Sequence, residues 1–194
     1  MTEGPLPLPD SRAADAALHS SGSARRAGAS GGRTLTKVLL VLYLACLLWL
    51  TLFKLSYDVT SILSDYQTRS LGLIPFATLG QTGLGETISN VVTFVPFGLL
   101  LGLVFKQTPG WRLLCVMFGF SLAVETLQFI LAIGTTDTTD VVTNTLGGLT
   151  GLVLYRSLDK IISTTILDPV ITAIGLILLV AFLGLRVLVF QVRY

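Results

Sequence analysis

The sequence predicts an all-α fold, a polytopic transmembrane helical bundle of about five spans with its N-terminus in the cytoplasm. Three observations carry that expectation. The 194 residues are 52% hydrophobic and only 12% charged, with a mean hydropathy of +0.79, a balance far from that of a soluble domain. Five apolar segments, at about 37–55, 88–106, 111–133, 140–156 and 168–190, approach the ~20 residues that a tilted helical span requires. None alternates with the period of two that a barrel strand needs, which leaves helices as the spanning solution.

Residues 1–36 are rich in Ala, Gly, Ser, Pro and Arg and lack apolar periodicity, so they read as a disordered cytoplasmic tail. Residues 37–194 then form the transmembrane domain. The apolar run from Val38 to Phe53 continues into WLTLFKLSYD without a small-residue cleavage pattern, and is expected to be a retained first span rather than a signal peptide. LGLIPFATLG (71–80) is apolar but too short to span and contains Pro75, which suits an interfacial or re-entrant loop. The second span carries Asn90, Phe94, Gly98 and Gly102 on one face, with Pro96 as a kink. The third contains Glu125 and Gln128. The fourth is the weakest, being short and interrupted by Asn144, Gly147, Gly148 and Gly151.

Orientation follows from Lys and Arg placement. An inside N-terminus puts Arg25, Arg26, Arg33, Lys37, Lys106, Arg112, Arg156 and Lys160 on the cytoplasmic side. Lys54, Arg69 and Arg193 fall opposite, and Arg186 lies within the last span. The loops at 56–87 and 134–139 then face outward. The only histidine, His19, is in the tail, so Ser-His, Cys-His and His-ligand metal chemistry are excluded from the body of the protein. Cys46 and Cys115 each lie within an apolar run and read as reduced core residues. Membrane lipids are the expected partners; neither a cofactor nor a nucleic acid is expected.

One stretch concentrates the polar groups: ETLQFILAIGTTDTTDVVTNTLGG, residues 125–148. Glu125 and Gln128 are three apart and share a helical face, as do Asp137, Asp140 and Asn144 at i, i+3, i+7 if the helix starts early. That second face continues to Gly147 and Gly151, a small-xxx-small pair that permits close helix approach. Glu125 is expected to face the bundle interior and bond Gln128, Asn90 or Asn144, because a carboxylate near mid-membrane costs roughly 3 kcal/mol on insertion scales. Two readings stand side by side. In one, these residues line an outward-facing pocket that binds a polar or cationic group, with carboxylates suited to acid–base work or to Mg²⁺ or Ca²⁺. In the other they join the helices, and the aspartates start helix four, where the helix dipole favours anions.

The order of LIPF (73–76), NVVTFVPFGLLLG (90–102), E-x-x-Q (125–128) and D-x-x-D-x-x-x-N-T-x-G-G (137–148) resembles the VanZ-like family of small bacterial membrane proteins, named for a teicoplanin-resistance protein. The resemblance covers about residues 38–158. It maps the family's polar and small positions onto Asn90, Pro96, Phe97, Gly98, Glu125, Gln128, Asp137, Asp140, Asn144 and Gly147. It implies a multi-pass protein of the bacterial cell membrane that lowers sensitivity to lipophilic glycopeptides. The expected partner is a lipid-linked cell-wall precursor or the glycopeptide itself. A membrane-embedded enzyme acting on lipid-linked or cell-wall precursors is the alternative. The chain departs from the family at Gly134, where many members have arginine, at Thr139-Asp140, where many have adjacent aspartates, and at Gly72, where asparagine is frequent; the missing arginine makes this site more acidic.

Overall fold

A computed structural model of the chain describes Gly32 and residues 34–52, 71–72, 84–131 and 136–193. The chain divides into two units, Met1–Leu35 and Thr36–Tyr194, and almost all described residues belong to the second. Five helices form the described body: α1 (Thr34–Leu52), α2 (Leu84–Val104), α3 (Gly110–Leu131), α4 (Thr138–Asp159) and α5 (Thr164–Arg193). Two two-residue strands, β1 (Leu71–Gly72) and β2 (Thr136–Asp137), pair in parallel, Leu71 opposite Thr136 and Gly72 opposite Asp137. The protein is therefore an all-α polytopic bundle apart from this short bridge. Most of the expected tail, the loop at 56–87 apart from β1 and the start of α2, and the residues Lys54, Arg69 and Pro75 lie outside the described residues, while residues 34–36 of the expected tail belong to α1.

Four of these helices, α1, α2, α3 and α5, are long and apolar enough to cross a membrane. α4 has the length, 22 residues, but its threonines, glycines, Asp140 and Asn144 dilute its hydropathy. Its position explains that composition. α4 is the helix against which α2 and α3 pack, and glycines set the distance. A Cβ on Gly147 or Gly151 would run into the carbonyls of Val91 and Val95 on α2, and one on Gly98 would run into the carbonyl of Gly148. The order 91, 95, 98 against 147, 151, 152 shows that α2 and α4 run parallel. Gly102 completes the seam, the Tyr155 ring lying 2.7 Å from where its Cβ would be. Lipid tails are as apolar as leucine, so burial against lipid drives little association; close backbone contact and dispersion hold such a seam.

α3 runs antiparallel along the other side of α4, with Met117 over Gly148. Phe94, Phe97 and Phe120 fill the space between α2 and α3, with ring centroids 5.4–6.2 Å apart. α1 adds Leu39, Leu40, Tyr43 and Leu47 to the same core. The Tyr43 hydroxyl donates to the Thr93 carbonyl at 2.8 Å, one turn before Pro96, where the proline ring disturbs the helical ladder. Cys46 and Cys115 are both thiols; Cys115 is exposed on α3 instead of lying in the core, because its face of the helix points away from α4.

The connections sort the two ends of the bundle. At one end lie the α2–α3 and α4–α5 turns with Lys106, Arg112, Arg156 and Lys160. Lys106 forms an ion pair with Asp168 of α5 at 2.7 Å, and Arg156 donates to the Thr108 carbonyl at 2.6 Å. The other end holds the polar stretch.

Candidate functional site

The polar end is built around the start of α4. Asp137 is its N-cap, extended at φ −122°, ψ 129°, and its carboxylate accepts from the Thr139 N–H and the Thr139 hydroxyl, both at 2.8 Å. This is the arrangement that aspartate favours ahead of a helix, satisfying an N–H that the helix leaves without a partner. The same carboxylate packs against Gly72, 3.1 Å from where a Cβ on that glycine would be. The Thr138 hydroxyl donates to the Gly72 carbonyl at 3.0 Å. The β1–β2 bridge thus fixes the approach to α4, and a side chain at Gly72 would push the cap aside.

Two further carboxylates meet this helix start. Glu125, on α3, is 4% exposed, and its Oε2 accepts from the Asp137 backbone N–H at 3.2 Å. Asp140, in the first turn of α4, is buried and accepts from the Asn90 side-chain amide of α2 at 2.6 Å, a short charge-assisted bond. The positive end of the α4 dipole favours all three acids there. Among the described residues, no group of three or more His, Cys, Asp or Glu side chains is gathered as a metal ion would need.

The amides turn to separate partners. Gln128 donates from Nε2 to the Thr51 carbonyl at the end of α1, 2.7 Å. Asn144 donates from Nδ2 to the Ser121 hydroxyl of α3, 3.1 Å. Sequence reasoning placed Asn90, Gln128 and Asn144 around Glu125. The structure gives each amide one distinct bond to a different helix, so that α1, α2, α3 and α4 are all tied at this end. Asp140 and Asn144 share one face of α4, whereas Asp137 precedes the helix as its extended N-cap and so does not continue that face; Glu125 and Gln128 share one face of α3. Gly98, Gly102, Gly147 and Gly151 lie in the α2–α4 seam below them.

Among the described residues three buried side-chain oxygens have no partner: Gln128 Oε1 and Asn144 Oδ1 here, and Asp159 Oδ1 at the opposite end of α4. The Gln128 assignment is fixed by chemistry, since the Thr51 carbonyl can only accept and must face the amide nitrogen. Sequence reasoning missed Ser121, which is fully buried. Its signal was present: Ser121, Glu125 and Gln128 are spaced i, i+4, i+7, one face of α3. It also missed Thr143, buried in α4 with its hydroxyl donating to the Asp140 carbonyl at 3.3 Å, and Thr51, which contributes only backbone. An apolar cleft between α2 and α5, lined by Pro96, Leu99, Ile171, Ile174 and Gly175 among others, is formed without polar side chains and lies apart from this cluster.

The sequence model of the VanZ/LLP1 family matches residues 40–162, which run from within α1 through α4 and contain every polar residue of this site. Protein VanZ of Enterococcus faecium is 46% identical over 155 residues, 80% of this chain and 94% of that protein. No solved structure matches. The model match covers more than half of the chain and the relative aligns over nearly its whole length: the chain is a membrane protein that belongs to the VanZ family.

Proposed function

We propose that this protein acts in the bacterial cell membrane to lower sensitivity to lipophilic glycopeptide antibiotics, with its polar end facing outward as a binding pocket. The observation that carries the reading is the 46% identity to Protein VanZ across 94% of that protein. The orientation rests on charge. Lys106, Arg112, Arg156 and Lys160 lie at one end of the bundle and, by the positive-inside rule, that end is cytoplasmic. The carboxylates at the start of α4 then face the outer side, from which glycopeptides arrive. A lipid-linked precursor or the lipophilic glycopeptide is the proposed ligand.

The test is susceptibility of a sensitive host expressing the protein, with membrane insertion confirmed by immunoblot. Teicoplanin tolerance is expected to rise more than tolerance to the less lipophilic vancomycin. Unchanged tolerance to both would overturn the proposal.

A further inference from the structure

At the end of the bundle away from the polar site, bases outnumber acids. Lys106 is held by Asp168 at 2.7 Å, which makes that pair neutral. Arg112, Arg156 and Lys160 have no acidic partner among the described residues. Arg156 brings the start of α3 and the end of α4 together. From α4 its guanidinium reaches the α2–α3 turn, where one nitrogen donates to the Thr108 carbonyl at 2.6 Å. Its other terminal nitrogen lies 2.7 Å from where a Cβ on Gly110 would be, two residues before Arg112. Lys160 is the C-cap of α4, one turn beyond Arg156. The first turn of α3 has no acidic side chain, so the positive end of its dipole adds the same sign. Asp159 offsets one of the three bases, which leaves two positive charges on the patch.

The apolar neighbours of these bases point to the partner. Trp111 is 64% exposed and Ile161 82%, and each adjoins an exposed base, Arg112 and Lys160. The Arg112 guanidinium lies over the Trp111 ring, 5.3 Å from its centre. A soluble anion would leave both apolar side chains in water. A phospholipid offers a phosphate to the bases and glycerol and acyl carbon to the tryptophan and isoleucine. α3 is long and apolar enough to span, so its end lies at the depth of the headgroups. We infer that Arg112, Arg156 and Lys160 form a surface site for the headgroup of an anionic phospholipid, with Trp111 and Ile161 against its glycerol and upper acyl chains. The three bases only donate hydrogen bonds, and phosphodiester oxygens accept them. A zwitterionic lipid presents the same phosphate beside its own ammonium, which the charge of the patch repels. The site needs neither the ligand nor the orientation of the proposed function.

The chain contains two tryptophans, so Trp49→Phe leaves Trp111 as the sole fluorescent reporter. The full chain with that substitution is placed in mixed phosphatidylcholine–phosphatidylglycerol vesicles, with bromine on the acyl chains of one lipid or the other. Quenching of Trp111 then measures the relative affinity of the two lipids. Each Lys or Arg near a membrane surface changes anionic-lipid binding about fivefold. Two uncompensated charges therefore give phosphatidylglycerol a preference of about 25-fold at low ionic strength, falling as salt screens the patch. Arg112→Gln and Lys160→Gln should each lower the preference about fivefold, and the double variant should abolish it. Should a variant fold poorly, the comparison of the two lipids with all three bases in place still decides. Equal quenching by the two lipids would overturn the inference, as would a preference that survives the double substitution. So would its loss to excess inorganic phosphate at matched ionic strength, which would assign the patch to a soluble anion.

Discussion

Substituting Gly98 by alanine adds one methyl group where the structure has no room for it. The new Cβ would lie 2.7 Å from the Gly148 carbonyl carbon and 2.8 Å from the Leu152 nitrogen, and would overlap the Gly148 oxygen. All of these are backbone atoms of a neighbouring helix, so no side chain can turn away and the two helices must separate. A radial gap of about 0.5–1 Å forfeits a quarter to a half of each dispersion contact along the seam. That places the cost near the upper end of the overpacking range, about 3 kcal/mol. Two other glycines calibrate the number. Gly148→Ala would meet the Met117 sulfur at 2.5 Å, an unbranched side chain that can shift where backbone cannot, and is expected to cost less, about 1.5 kcal/mol. Gly119 has nothing within 4 Å, so Gly119→Ala should be neutral or stabilise α3 by up to about 1 kcal/mol through helix propensity. Unfolding midpoints of the three variants in one detergent measure the ranking. If Gly98→Ala unfolds no earlier than Gly119→Ala, the account of the α2–α4 seam is wrong.

Asp137→Ala removes the N-cap and is expected to cost about 1 kcal/mol, while Asp137→Asn recovers most of it; thermal unfolding of the two variants reads the difference. Glu125→Gln keeps an oxygen for the Asp137 N–H and is expected to lower the midpoint less than Asp137→Ala while abolishing teicoplanin tolerance. The opposite pattern would assign Glu125 to joining the helices. Burial opposes the Lys106 charge, but hydrogen bonds and charge from Asp168 and Tyr155 outweigh it and hold the ammonium above its ordinary 10.5. A raised lysine value means that its contribution to stability is complete below 10.5 and is lost as pH climbs beyond it. The stability gap between wild type and Lys106→Met should therefore stay constant from about pH 6 to 9 and shrink only in strong alkali. Because the pair is about a third exposed, the gap should be under about 1 kcal/mol. Chemical denaturation across the pH series tests both statements.

The helices were legible in the sequence because apolar runs of span length have few alternatives in a bilayer. Their ends were less so: the apolar run at 140–156 corresponds to a helix over Thr138–Asp159, since hydrogen bonding and capping continue where hydropathy stops. α4 read as the weakest span for the same reason that it is central, because glycines and amides dilute hydropathy while permitting close approach. The clustering of Glu125, Asp137, Asp140 and Asn144 was visible from spacing, but the partners were not. Asn90 meets Asp140 only because α2 and α4 run parallel, and Gln128 bonds a backbone carbonyl at Thr51, which no side-chain pattern announces. The β1–β2 bridge joins residues 65 positions apart and leaves no local trace.

The composition of α4 also bears on how the protein reaches its membrane. Helices α1, α2 and α3 emerge from the ribosome first, and each is apolar enough to leave the translocon for lipid by itself. α4 carries two aspartates, an arginine and an asparagine with several glycines and lacks that hydropathy, so its partition into lipid alone is unfavourable. The α2 and α3 faces that it needs are synthesised immediately before it. Integration of α4 is then an assembly step, coupled to the docking of its neighbours.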